Sequence, residues 1–308
     1  MTGPLLITGA SGWFGRTALW EYEQEHGPDA LRRDVIPFSS GERWVDFGSL
    51  HGPVKALPLK AITEVQNPRG LLHLAFLTRD KEEVLGWRRY VDINRSITAG
   101  LFATLNAWPN MPVVSTSSGA AAALDGKVLD LEGNPYAALK KEEEAVILEA
   151  SSIRNACIFR VYAASGRFMA RREKYALGSF LTQAIASGRI TVQARGKVFR
   201  SYVNAGDLMR LAFKMLADSC SDAGFALIDA CNVDVELHDL AVLVASLTRT
   251  YVASPVASMK TKESRYVGSH KDYLLLMKKY NLFPLSLEHQ VLDTLRGFNL
   301  LPNSHHGI

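Results

Sequence analysis

Compact apolar runs alternate with amphipathic stretches along the first half of the chain. Residues 5–7, 34–38, 70–75, 111–119 and 158–162 are short and mostly apolar, without strict polar alternation, as expected of parallel strands covered on both faces. Between them, residues 17–25, 82–89, 92–108 and 135–150 carry the polar faces of helices, and 44–47 reads as another short strand end. Strands alternating with helices at this spacing predict βαβ units. The fold class is therefore α/β, a Rossmann-type doubly wound parallel sheet.

Past Tyr162 the pattern changes. Residues 167–174 form a basic, loop-like stretch, 178–187 a helix, and 190–192 and 199–204 short strands. Two amphipathic helices, 207–217 and 237–247, bracket a strand around 225–228, and residues 266–298 read as a helical tail. This predicts a domain over 1–165 and a smaller lobe over 166–308, with some segments of the lobe returning to the first domain.

Composition narrows the field. The 308 residues are 47% hydrophobic and 21% charged, with a net charge of +4, an ordinary globular balance. Lysine and arginine are dispersed, so no nucleic-acid partner is expected. No apolar run reaches the ~18 residues of a membrane span and no leader precedes the first strand, which predicts no membrane association and a cytoplasmic protein. Cys157, Cys220 and Cys231 show no paired spacing, so neither disulfides nor a metal are expected, and Cys157 reads as a core residue.

The candidate chemistry begins with Thr8-Gly9-Ala10-Ser11-Gly12-Trp13-Phe14-Gly15, a glycine-spaced turn running from a strand into a helix. The first glycine suits a tight turn, the second lets backbone approach a pyrophosphate, and the third lets helix pack on strand. Phosphates would lie on the amides of a helix N-terminus. The second strand ends in Ser39-Ser40-Gly41-Glu42-Arg43 in place of the terminal acid of an NAD site. With Arg16, these residues lean towards NADP over NAD, although Glu42 could serve a free ribose. Ser117 and Ser118 fall at the carboxyl end of a strand, where ligands bind in such sheets. Downstream, Pro135 suits a first helical turn, and Tyr136 and Lys140 share a helix face. A lysine ammonium one turn from a tyrosine favours the phenolate, lowering a pKa of about 10 towards operating pH. His73 reads as a structural strand residue.

Together these motifs resemble the extended short-chain dehydrogenase/reductases, in particular the NAD-dependent epimerase/dehydratase group that modifies nucleotide sugars. The resemblance rests on Thr8 to Gly15, on His73-Leu74-Ala75, on the ordered serines with Tyr136 and Lys140, and on Arg200-Ser201-Tyr202-Val203-Asn204-Ala205-Gly206-Asp207. It implies cofactor contacts from Gly9, Ser11, Gly12, Trp13, Phe14, Gly15, Ser39, Arg43, Asp46, Phe47, Leu74, Ala75, Asn94 and Lys140. Within that set, Asp46 would meet the adenine and Lys140 the nicotinamide ribose. Tyr136 with Lys140 and Ser118 or Ser117 would be catalytic, and Arg200, Ser118 and Tyr136 would hold substrate. The implied activity is epimerisation or reduction at a sugar carbon. A ketoreductase of a small carbonyl compound and a non-catalytic dinucleotide sensor are the alternatives. Ser118-Gly119-Ala120 stands where 4,6-dehydratases carry Thr-Asp-Glu, so that elimination is not expected. Arg167, Arg171 and Arg172 suggest an anionic substrate, and the helices from Asp92 and Tyr136 suit a homodimer.

Overall fold

The computed structural model describes residues 3–150, 156–219, 226–253 and 263–300. Its first half runs β1 (Leu5–Ile7), α1 (Trp13–His26), α2 (Pro28–Asp34), β2 (Val35–Ser39), β3 (Arg43–Val45), β4 (Val54–Pro58) and β5 (Gly70–His73). There follow α3 (Asp80–Leu85), α4 (Trp87–Ala107), β6 (Val113–Ser118), α5 (Gly119–Ala122), α6 (Pro135–Ala150) and β7 (Ala156–Val161). The second half comprises β8 (Ala163–Ser165), α7 (Ala176–Ser187), β9 (Arg189–Thr191), β10 (Val198–Asn204), α8 (Ala205–Ala217), β11 (Ala226–Ala230) and β12 (Val233–Glu236). It closes with α9 (Leu237–Thr248), β13 (Tyr251–Ala253), β14 (Ser264–Tyr266), α10 (Lys271–Lys279) and α11 (Leu287–Leu300).

Contacts divide the chain into two compact units, Met1–Val161 with Met209–Asp229, and Tyr162–Leu208 with Ala230–Ile308. In the first, eight described strands form one sheet in the order β11-β7-β6-β5-β1-β2-β4-β3. The pairs β1 with β2 and β5, β5 with β6, β6 with β7, and β2 with β4 are parallel. The strand β3 runs antiparallel to β4. Strand order reverses beside β1, whose neighbours are β2 and β5, so the ligand-binding crevice of an α/β sheet opens at the carboxyl ends of β1 and β5. Apolar residues of β1, β2, β5, β6 and β7 are buried with Leu101 and Leu105 of α4 and Ile147 of α6, the burial that fixes those helices on the sheet.

In the second unit β10 is central, antiparallel to β12 and parallel to both β14 and β8. The helices α7 and α9 pack together beside the β13-β9 pair.

Several expected boundaries are corrected. The helix expected over 82–89 is broken at Gly86, which takes φ 77° between α3 and α4. β4 and β12 were not anticipated: Val54-Lys55-Ala56-Leu57-Pro58 ends in a proline, which is unfavourable in a strand, and Val233-Asp234-Val235-Glu236 has only two apolar residues. The helical tail is two helices, α10 and α11, and Tyr266 lies instead in β14. Phe225 and Cys220 fall outside the described residues, whereas Cys157 and Cys231 are buried thiols. Among the described residues no helix is long and apolar enough to cross a membrane.

Candidate active site

The glycine turn follows β1 directly, and its three glycines answer to different demands. Gly9 adopts φ +68°, and a Cβ there would meet the Leu74 carbonyl oxygen at 2.5 Å. One on Gly15 would lie 2.2 Å from the Gly9 carbonyl oxygen, so both positions are dictated by the protein packing on itself. Gly12 differs. It is exposed, its φ −78° and ψ 177° suit any residue, and an added Cβ would meet only the Gly9 oxygen, at 3.2 Å. The reason for a glycine here lies outside the polypeptide. Helix geometry leaves the first amides of α1 without intrahelical acceptors, and no acidic residue occupies its first turn. A dinucleotide pyrophosphate fits this cradle, bounded by Ser11, Gly12 and the stacked rings of Trp13 and Phe14.

Thr8 ties the turn to the end of β5. Its hydroxyl oxygen accepts from the Leu74 and Ala75 amides at 3.0 and 3.2 Å and lies 3.0 Å from His73 Nδ1. With both lone pairs taken, the hydroxyl must donate to Nδ1, which leaves the imidazole proton on Nε2. His73 is thereby a neutral, buried link, as its strand position suggested. Its Nε2 is 3.6 Å from Glu143 Oε2 on α6.

Alternation along β6 turns its last two serines to opposite faces. Ser117 Oγ donates to Glu144 Oε1 at 2.6 Å, whereas Ser118 hydrogen-bonds the Tyr136 hydroxyl. Of the two candidate serines, Ser118 is the one facing Tyr136, while the Ser117 hydroxyl is held by Glu144. Lys140 Nζ donates to the Thr116 carbonyl at 2.9 Å and to Glu143 Oε1 at 3.0 Å, and lies 3.9 Å from the Phe76 ring centroid. The expected lowering of the Tyr136 pKa is not found. Burial of its hydroxyl pushes the pKa up, the Ser118 hydrogen bond opposes this, and Glu143 adds to it. The Lys140 charge is spent on Glu143.

The remaining expected contacts separate into those that stay open and those consumed internally. Arg43, exposed at the start of β3, donates to Ser40 Oγ at 3.2 Å. Glu42 pairs with Lys55, and the buried Ser39 hydroxyl donates to the Gly41 carbonyl. Asp46 accepts from the Gly48 amide, and its charge supports Arg16, whose pKa burial lowers; Phe47 beside it is fully buried. Asn94 bonds both backbone groups of Leu77 and the Tyr90 carbonyl, so its amide holds the segment after Ala75 in place.

Arg200 belongs to the second unit, where Nη1 donates to the Phe199 carbonyl at 2.8 Å and the guanidinium lies 5.8 Å from the Tyr266 ring centroid. In that unit Arg167 pairs with Asp293, and Arg172 donates to the Gly297 carbonyl and stacks over Phe298. These two arginines serve packing of α11, which corrects their reading as a substrate-facing cluster.

A second buried network braces the site from behind. Arg160 of β7 holds Glu144 through Nε at 2.8 Å and Nη2 at 2.7 Å and Asp125 through Nη1 at 2.6 Å, with Lys141 also bonded to Asp125. The Arg160 hydrogen bond holds the Asp125 carboxyl down at about 2, against the usual 3.8, although desolvation opposes it. A depressed folded pKa contributes stability above the unfolded value that is lost as pH falls through the folded one. Asp125→Asn is therefore expected to lower the urea midpoint at pH 7 by an amount that shrinks between pH 4 and 2 as the parent carboxylate protonates. Because the Asp125 side chain is 50% exposed, solvent screening limits the effect to about 1 kcal/mol or less. A difference independent of pH would assign the loss to shape instead of charge.

Glu143 and Thr8 were not singled out by sequence. The available signal was spacing: positions 136, 140, 143, 144 and 147 share one face of a helix, and Lys140, Glu143, Glu144 and Ile147 are buried there.

The sequence of residues 5–224 matches the model of the NAD dependent epimerase/dehydratase family. No curated protein matches it significantly. Among solved structures, a UDP-glucose 4-epimerase superposes with a TM-score of 0.74 at 16% identity, covering 99% of this chain and 100% of that one. MoeE5 in complex with UDP-glucose and NAD gives 0.71 at 16% identity over 96% and 99%. RMD from Pseudomonas aeruginosa complexed with NADPH gives 0.68 at 19% over 96% and 99%. At these identities the structures establish the shared Rossmann-type fold. The match over most of the chain, with the glycine cradle and the Ser118, Tyr136 and Lys140 constellation in place, makes this protein a member of the NAD dependent epimerase/dehydratase family.

Proposed function

We propose that the protein oxidises or reduces a sugar carbon of a nucleotide sugar, as an NAD(P)-dependent epimerase or reductase with Tyr136 as the proton carrier. The observation that carries this reading is the Ser118 to Tyr136 hydrogen bond beside Lys140. Gly9, Ser11, Gly12, Trp13, Phe14 and Gly15 would hold the pyrophosphate, with Leu74, Ala75 and Phe47 lining the crevice. Asp46 would meet the adenine, and Lys140 the nicotinamide ribose. The nicotinamide, when bound, supplies a site that accepts or gives hydride. Tyr136 moves the proton at the substrate oxygen, Ser118 orients that oxygen, and Arg200 is the proposed partner of the substrate diphosphate. The absence of acids at Ser118-Gly119-Ala120 supports epimerase or reductase chemistry over dehydration. The likeness to structures holding UDP-glucose supports the nucleotide-sugar class. A soluble cytoplasmic enzyme, acting as a homodimer through α4 and α6, completes the reading.

A second reading, reduction of a small carbonyl compound, is favoured by the pairing of Lys140 with Glu143, because a protonated tyrosine suits delivery of a proton to a carbonyl oxygen. Incubation of pure protein with panels of nucleotide sugars and small carbonyl compounds, following absorbance and product together, separates the two. Turnover of small carbonyl compounds alone would reject the nucleotide-sugar reading.

For the cofactor, Ser39, Ser40 and the exposed Arg43 support NADP, all the more because Glu42 is engaged by Lys55. NADP is expected to bind at least as tightly as NAD. Arg43→Ala should weaken NADP about 10-fold and NAD hardly at all, as one charge-assisted bond to phosphate is lost. Calorimetry giving equal losses for both, or a parent preference for NAD, reverses the assignment.

A further inference from the structure

Glu143 is a carboxylate only 1% exposed. One of its oxygens is 3.0 Å from Lys140 Nζ and the other 3.6 Å from His73 Nε2. Burying a charge is unfavourable unless it is paired, so the position demands a reason. We propose that Glu143 is a positioning residue, the counter-charge of Lys140, and that it thereby holds Tyr136 in its protonated form at rest. This rests on reading Tyr136 as the proton carrier.

The donor count supports it. An ammonium has three protons. Those of Lys140 meet the Thr116 carbonyl and Glu143, with the Phe76 ring against the same nitrogen. The groups facing Tyr136 are Ser118 from β6, Tyr90 from α4, and Lys140 and Glu143 from its own helix. Behind Glu143 stands His73 of β5, kept neutral because the Thr8 hydroxyl donates to its Nδ1. Lys140 and Glu143 are then the two charges in this set, and their fields oppose at the phenol. Burial alone would raise the Glu143 pKa, but Lys140 opposes it and the carboxyl stays ionised. Its charge disfavours the phenolate, in the same direction as burial. The resting phenol is therefore the form ready to act as proton donor, and the phenolate, whether left after a proton is given or needed to take one, is favoured only when Lys140 turns from Glu143.

The test is a titration of the tyrosines, labelled with 13C at Cζ and followed by NMR from pH 7 to 12, with Tyr136→Phe identifying the signal. In the parent, Tyr136 is expected to titrate above the free-tyrosine value of about 10. In Glu143→Gln, which keeps the shape and an acceptor for Lys140, it should titrate lower by about one pH unit or more. Glu143→Asp, which keeps the charge, should return towards the parent. If Glu143→Gln does not fold, the double variant Lys140→Met with Glu143→Leu removes a neutral pair and should titrate within about one unit of the parent. A parent value below about 10, an unmoved signal in folded Glu143→Gln, or a larger shift in the double variant overturns the proposal. No substrate is needed, so failure here leaves the turnover effect of Tyr136→Phe standing, and loss of that effect leaves this titration interpretable.

Discussion

Tyr136→Phe is expected to lower turnover by about 100-fold to 10,000-fold while leaving dinucleotide affinity nearly unchanged. The substitution removes the one atom that carries the proton and keeps the ring, which packs edge-on against Phe76 with centroids 5.8 Å apart. Its cost is then that of general acid/base catalysis alone. The two neighbouring serines supply an internal control. Ser118→Ala should reduce turnover, because Ser118 bonds the Tyr136 hydroxyl. Ser117→Ala should leave turnover intact and lower stability, because its hydroxyl bonds the buried Glu144. Steady-state rates and melting temperatures for the three variants decide the matter. Full activity in Tyr136→Phe removes the catalytic assignment. An epimerase returns hydride to the same substrate and shows no net change in nicotinamide absorbance, whereas a reductase consumes one reduced cofactor per product. Tight cofactor binding with silence across a broad substrate panel would point to a sensor.

Gly12→Val and Gly9→Val are expected to fail in opposite ways. Valine at Gly12 meets ordinary backbone angles and a single carbonyl at 3.2 Å, so the protein should fold and melt within a few degrees of the parent. It should nonetheless lose dinucleotide binding, by about 100-fold or more, because its side chain fills the space of the pyrophosphate. At Gly9, φ +68° and three backbone atoms within 2.8 Å leave no room for a Cβ. Gly9→Val should fail to give soluble folded protein, since neither the turn nor the end of β5 can move aside. Calorimetry and circular dichroism on both variants check the pair. Unchanged affinity in folded Gly12→Val would move the phosphate site elsewhere.

Much of the frame was legible because local patterns carried it. Buried parallel strands need continuous apolar runs, so β1, β5, β6 and β7 stood out within a few residues of their ends. The helix expected over 17–25 begins earlier, at Trp13 within the glycine turn, whereas Pro135 did mark the start of α6, because proline has a restricted backbone preference. The four-residue step from Tyr136 to Lys140 needed only helix geometry.

What lay beyond the sequence was whatever depends on partners distant along the chain. Both serines were candidates until the pleat of β6 turned Ser117 to Glu144, 27 residues away, and Ser118 to Tyr136. Lys140 promised a charge for its tyrosine. The fold delivered that charge to Glu143, which lies beside His73, while His73 is joined to Thr8, 65 residues earlier. Arg167 and Arg172 looked available for a substrate until α11 packed against them. The amino-acid order alone thus determined the Rossmann-type architecture, the glycine turn and the residue types of the candidate site, since periodicity and backbone preference are local. Protonation, pairing and the choice between neighbouring hydroxyls were decided by tertiary structure, because a charge or hydroxyl acts on whatever the folded chain brings within a few ångströms of it.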